Sequence, residues 1–250
     1  MNTPPRQRAD AALVARGLAE SRTRAQALIM AGLVFSGETR INKPGQLLAA
    51  DAALGVRGRD HPWVSRGGLK LAQGLAAFAI DPAGLVCLDV GASTGGFTDV
   101  LLTHGAAKVY AVDVGKGQLD WKLRGDARVV VLEGVNARAL GRAEVPDGIE
   151  LLVCDASFIG LETILPAPMA LSVPGARLVA LIKPQFEVGK GRVGKGGVVR
   201  DTALHEEVCA RIAAWMAAQP GWRVLGIAES PILGPKGNKE FLIAAERAAA

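Results

Sequence analysis

Five strand-sized apolar runs constrain this chain more than any other feature. They lie in GLVCLDVG, AKVYAVDVG, RVVVLEG, IELLVCDAS and ARLVALIKP, with helical or turn segments between them. Runs this short with so little polar interruption suit strands covered on both faces. Strands alternating with helices predict an α/β fold, a doubly wound and mainly parallel sheet. Ligands of such sheets bind beyond the carboxyl ends of the strands. Asp89, Asp113, Asp155 and Lys183 all fall at those ends.

A chain of 250 residues has room for one large domain, or for one of ordinary size plus a small one. Half of it is hydrophobic but only 4% is aromatic, so Ala, Val and Leu must fill the core. Cys87, Cys154 and Cys209 lack the C-x-x-C spacing of zinc or redox sites, and three reduced thiols are expected. Cys154, beside Asp155, invites comparison with a methyltransferase nucleophile, but its place in the strand alternation buries it. His61, His104 and His205 form no ligand pattern, so no metal is expected. The N-terminus lacks the charged-then-apolar order of a signal peptide. No apolar run approaches the ~18 residues that span a bilayer. A cytoplasmic protein without membrane contact or obligate protein partner is the expectation.

The charge is uneven. Residues 1–70 carry eleven lysines and arginines against five aspartates and glutamates, while the rest is nearly neutral. A basic segment on a neutral body predicts a docking surface for a polyanion, nucleic acid above all. Within it RADAALVARGLAES reads as a short amphipathic helix stopped at Gly17, and Ser21 as the N-cap of a second helix ending at Gly32. Two β segments follow, the first turning near Gly37. Arg22 and Arg24 sit in the first turn of the second helix, where the macrodipole favours anions. The order of residues from Arg8 to Val34 resembles the αL RNA-binding module of a small-subunit ribosomal protein, tyrosyl-tRNA synthetases and pseudouridine synthases. The resemblance implies a small α+β RNA-binding domain over residues 1–58, with Arg8, Arg22 and Arg24 facing phosphates. The polar, Gly- and Pro-bearing stretch that follows predicts a linker over residues 59–65 and a second domain over 66–250.

The turn after the first large-domain run reads Gly91-Ala92-Ser93-Thr94-Gly95-Gly96. Ser93 occupies the middle-glycine position of a dinucleotide fingerprint, where a side chain obstructs a pyrophosphate. Asp113 lies 20 residues beyond Ser93, as a ribose-binding carboxylate should. S-adenosylmethionine, with a ribose and adenine but no pyrophosphate, suits the turn better than NAD. The expected cofactor contacts are Asp89, Gly91, Ser93, Gly95, Phe97 and Asp113, with Asn136 toward the adenine. A second glycine-rich stretch, Gly189 to Gly197, fits seven positions of a P-loop but has Gly196 where Ser or Thr would hold Mg²⁺. It reads better as a loop whose Lys190, Arg192 and Lys195 clamp RNA phosphates.

LDVGASTGGFTDVLL, VSRGGLKL, VCDASFIGL, LIKPQFE and GNKEFL, behind an αL module, resemble the TlyA family. Its members, which also go by the name hemolysin A, are ribose 2′-O-methyltransferases of ribosomal RNA with an FtsJ-like, Rossmann-like methyltransferase domain. The resemblance implies S-adenosylmethionine as cofactor and ribosomal RNA within ribosomal subunits as partner, with cytidine as the expected acceptor. It also implies a Lys-Asp-Lys-Glu tetrad at Lys70, Asp155, Lys183 and Glu240. A ribose hydroxyl stays protonated near neutral pH, so a lysine helps either as a base or as a cation holding the developing alkoxide. Nearby carboxylates favour the charged amine and burial the neutral one, which leaves both roles open for Lys183. Two other readings stay open: a non-catalytic RNA-binding or ribosome-assembly protein, and a membrane-active hemolysin.

Overall fold

The basic N-terminal quarter folds around two short helices. The computed structural model describes residues 6–19, 21–57 and 61–249, in two compact units, Met1–Pro62 and Trp63–Ala250. In the first, β1 (Arg6–Arg8) runs into α1 (Ala9–Ala15), and α2 (Arg22–Met30) follows. Ser21 caps α2, its hydroxyl accepting from Arg24 N at 3.1 Å. Then come β2 (Val34–Ser36), β3 (Thr39–Arg40), β4 (Leu47–Ala49) and β5 (Leu54–Val56). β2 and β3 form a hairpin through Gly37, β5 joins β2 on its other side, and β4 pairs with β1. Ala9, Leu13, Ala25, Leu28 and Ile29 from the helices cover Val34, Ile41 and Leu48.

The second unit begins at Trp63, which packs into its core at 8% exposure. Residues 63–65, expected in a linker, therefore belong to the second unit, and 59–60 lie outside the described residues. In chain order the unit holds α3 (Gly67–Ala77), β6 (Val86–Val90), α4 (Gly96–Thr103), β7 (Lys108–Asp113), α5 (Trp121–Arg124) and β8 (Val129–Glu133). It continues with β9 (Ile149–Cys154), α6 (Leu161–Ile164), α7 (Pro166–Ala170), β10 (Ser172–Ile182), α8 (Pro184–Glu187), α9 (Thr202–Ala217), β11 (Trp222–Glu229) and β12 (Phe241–Arg247).

The strands form one seven-stranded sheet in the order β11-β12-β10-β9-β6-β7-β8, with β12 antiparallel to both neighbours. The five apolar runs are β6 to β10, all mutually parallel. Alternation along them makes two cores. Leu88, Val90, Leu152, Cys154, Leu178 and Ala180 face Leu161, Met169, Val208 and Ile212 of α6, α7 and α9. Cys87, Leu151, Val153, Val179 and Leu181 face Leu71, Leu75, Phe97 and Val100 of α3 and α4. Each buried side chain of this size contributes roughly 1.5–3 kcal/mol, so both faces resist slippage by one residue. From β6 the chain steps outward to β7 and β8, then returns to β9 on the other side of β6. That reversal opens a crevice at the carboxyl ends of β6 and β9.

Candidate active site

The turn leaving β6 is built by Gly91, at φ +83°. A Cβ there would stand 2.9 Å from Ala156 Cα, so only glycine lets this turn approach the end of β9 so closely. Ser93 holds φ +48°, and its backbone N–H donates to Asp113 Oδ2 at 2.8 Å. Asp113 Oδ1 accepts from Gly115 N at 2.7 Å, so one carboxylate ties the turn after β6 to the loop after β7. The amides of Gly91 and Ala92 both donate to Val112 O, and that of Gly95 to Ala92 O. A pyrophosphate cradle presents such amides to its ligand; this turn spends them on the protein.

Above the turn lies a cavity of about 870 Å³, lined by Gly91, Ser93, Asp113, Gln118, Asn136 and Ser157 among others. Its size is that of a small-molecule or cofactor site (roughly 300–1,000 Å³). Beneath the turn Asp89 is fully buried. Its Oδ2 accepts from Thr98 Oγ1 at 2.7 Å, while Oδ1 has no protein partner. Burial pushes this carboxyl up to about 7, against the pull of the Thr98 hydroxyl and with help from the charge of Asp155.

A second cavity, of about 610 Å³, shares Gly91, Ser93, Asp155 and Ser157 with the first. Lys70, Lys183, Arg66 and Lys236 line it. Lys183 leaves the end of β10 just before Pro184, which starts α8. Its Nζ lies 2.6 Å from Asp155 Oδ1, an ion pair without hydrogen-bond alignment. The same amine donates to Asp155 O at 3.1 Å and to Ser157 Oγ at 2.9 Å. Lys70, from α3, donates to Glu240 Oε2 at 2.6 Å, and Gln185 Nε2 donates to Glu240 Oε1 at 3.3 Å. The four groups thus form two ion pairs rather than one cluster around a single lysine. The arrangement puts two held ammonium groups on the second cavity, one of them, Lys183, bound to the Asp155 and Ser157 that both cavities share, and so suited to stabilising a developing oxyanion.

Of the expected cofactor residues, Gly91, Ser93, Asp113 and Asn136 line the first cavity. Phe97 lines the second and packs in the core, and Asp89 and Gly95 line neither. Lys70, Asp155 and Lys183 line the second cavity, with Glu240 buried behind Lys70. Cys154 is fully buried and its thiol is pushed up to about 12, so it is no nucleophile.

The predicted RNA cations are less free than their sequence suggests. Arg8 and Arg22 both bind the buried Asp10, at 2.9 and 3.1 Å, though each stays about half exposed. The Arg8 guanidinium holds the Asp10 carboxyl well below the usual carboxylate range. Arg192 pairs with Glu207 through two contacts of 2.5–2.6 Å, with both side chains about half exposed. Arg24 is half-buried, Lys195 is exposed, and Lys190 begins a single 3-10 turn.

Three further residues escaped the sequence reading. Ser157 touches Lys183 and lines both cavities. Phe158 is 90% exposed at φ +66°, with its ring 5.0 Å from that of Phe186. Glu187 accepts from Leu161 N at 2.8 Å and from Arg211 at 2.9 Å, bracing the loop that carries Asp155, Ser157 and Phe158. All three lie in the VCDASFIGL and LIKPQFE motifs, although the left-handed backbone of Phe158 leaves no sequence signal.

Residues 63–247 match the FtsJ-like methyltransferase family, and residues 7–53 match the S4 domain. The chain is 50% identical to the 16S/23S rRNA (cytidine-2′-O)-methyltransferase TlyA of Mycobacterium tuberculosis, over 95% of this chain and 89% of that one. It is 40% identical to Hemolysin A of Brachyspira hyodysenteriae, over 94% and 98%. A solved structure described as a hemolysin from Streptococcus thermophilus is 42% identical, with a TM-score of 0.76, covering 99% of this chain and 90% of that one.

Proposed function

Because this chain belongs to the FtsJ-like methyltransferase family and carries an S4 domain, we propose that it methylates the ribose 2′-hydroxyl of a cytidine in ribosomal RNA, using S-adenosylmethionine. The observation that carries this reading is the junction of the two cavities, where Lys183, Asp155 and Ser157 meet. The residues fit the cofactor. Gly91 lets the turn close against the end of β9, Asp113 stands at the end of β7 for the ribose, and Asn136 lines the first cavity. When bound, S-adenosylmethionine supplies a methyl group already activated by its sulfonium.

The chain's own task is the acceptor. The second cavity admits a ribose, and Lys183 holds the charge that develops on its 2′-oxygen. Asp155 fixes the Lys183 amine by ion pair and backbone carbonyl together. The Lys70–Glu240 pair keeps a second ammonium at the cavity. Holding the hydroxyl in line with the methyl group contributes as much as charge does, since an orientation fixed beforehand removes entropy from the barrier. Phe158, at the mouth of the first cavity, offers a face on which an unstacked base can rest. The S4 unit, through Arg24 and the exposed sides of Arg8 and Arg22, would anchor the surrounding RNA.

Isolated ribosomal subunits incubated with protein and methyl-labelled cofactor test the reading, followed by mapping of the modified ribose. Label on a cytidine 2′-oxygen is expected. Label on no subunit overturns it.

A further inference from the structure

The glycine–lysine stretch after β10 does not fold as a nucleotide cradle. Lys190–Arg192 make one 3-10 turn, Gly194 bridges to Val198, and Lys195 sits at the exposed tip between them. A P-loop runs straight into a helix N-terminus. Here α9 starts only at Thr202, and the carboxylate of Asp201 caps it at Ala203 N, where an anion would bind.

What the stretch does engage is the loop before β12. Asn238, 3% exposed, accepts from Val199 N at 3.1 Å and donates to Gly197 O at 3.0 Å. Lys236, two residues earlier, lies over the same turn, its Nζ 3.5 Å from where a Gly197 Cβ would stand. Lys236 holds φ +61°, between Gly234 and Gly237. That conformation strains a side-chain-bearing residue and costs glycine almost nothing. A lysine kept at a position glycine would fill without strain points to a use for its side chain.

Its surroundings say which use. Lys236 lines the second cavity with Arg66, Lys70 and Lys183. Lys70 and Lys183 are each paired to a carboxylate. Among the described residues no carboxylate pairs with Arg66 or Lys236, and both are exposed. Arg66 spends one N–H on Leu233 O, at 3.3 Å, which ties it to the loop that presents Lys236. Two uncompensated cations therefore border a cavity whose inner cations are neutralised. A ligand with charges on either side of a neutral sugar matches that pattern, and diester phosphates are such charges.

We infer that Lys236 and Arg66 form the subsite for the phosphodiesters flanking the methylated ribose, and that Asn238 and the glycine–lysine turn hold Lys236 in place. The inference rests on the second cavity being the RNA acceptor site. The glycine–lysine turn is thus a buttress for a phosphate-binding lysine, with Lys195 extending the cationic rim.

The test compares full-length wild type with Lys236→Gly, Lys236→Arg and Arg66→Ala. It measures methyl transfer to isolated ribosomal subunits across a salt series, cofactor affinity and thermal melting. Lys236→Gly is expected to melt at or above wild type, because it relieves the backbone. It should bind cofactor normally, raise KM for subunits, and lower the slope of log affinity against log salt by about one. Lys236→Arg should restore KM and slope, and Arg66→Ala should lower the slope likewise. Active wild type with an unchanged slope and KM in Lys236→Gly overturns the subsite alone. Wild type that labels no subunit overturns the acceptor reading, and the subsite with it.

Discussion

Lys70 and Glu240, 170 positions apart in the chain, close a 2.6 Å ion pair in which the lysine side chain is 8% exposed and the glutamate wholly buried. Removing one partner strands the other charge in the interior, at a cost of about 3–5 kcal/mol. Glu240→Ala and Lys70→Ala are each expected to lower denaturant midpoints by that order. The double change Lys70→Met with Glu240→Leu should recover most of the stability, because neither charge is left behind. It should not recover methyl transfer. Recovery of both would mean that the pair serves the fold alone.

Lys183→Ala is expected to cut methyl transfer by about 10²–10⁴-fold, the range for a positioned proton-transfer or charge-stabilising group. Cofactor affinity should hold, since Lys183 lines only the second cavity. Calorimetric titration with cofactor beside single-turnover kinetics reads the two separately. A loss of affinity as large as the loss of rate would move Lys183 out of the acceptor site.

Asp89 makes stability depend on pH. Its carboxyl, pushed by burial up to about 7, binds a proton more tightly folded than unfolded, where roughly 3.9 applies. The folded state therefore holds the extra proton between those values. The contribution is full below about pH 4 and is lost as pH rises toward 7. Urea midpoints of wild type relative to Asp89→Asn should fall steadily across that window and level off above it. A flat difference would show that Asp89 is ionised throughout.

Phe158→Ala should weaken transfer to RNA while melting stays near wild type, since the ring is exposed and outside both cores. A stacked base is worth about 1–3 kcal/mol. Phe158→Tyr keeps the stacking face and should keep the activity. Equal losses in both variants would assign the effect to the φ +66° backbone instead.

The strands that position the site could be read from the chain because β6, β7, β9 and the end of β10 are buried on both faces, and β8, half-buried at the sheet edge, still carries almost no polar interruption. β11 could not: in WRVLGIAE its outward residues alternate with half-buried ones, and its pairing with β12 bulges between Val224 and Gly226. The burial of Glu240 leaves no mark on the sequence, since a glutamate shows its burial only through a partner, and Lys70 lies on α3, far back in the chain. Arg8 and Arg22 looked free because Asp10 reveals itself as their common counter-charge only once α1 packs on α2. Charge along a chain is visible in sequence; its neutralisation in space is not.

The place of β12 bears on how the protein is made. Last of the sheet's strands in chain order, it nonetheless lies inside the sheet, between β10 and β11. During synthesis the S4 unit and the parallel strands leave the ribosome first, and domains fold as their residues emerge. Until β12 threads in, β10 keeps an open edge, β11 has nothing to dock on, and Lys70 waits for its counter-charge. A nascent chain stalled before residue 240 would thus carry a finished S4 unit beside an inert catalytic one. Competence arrives late and all at once, with the strand that closes the sheet.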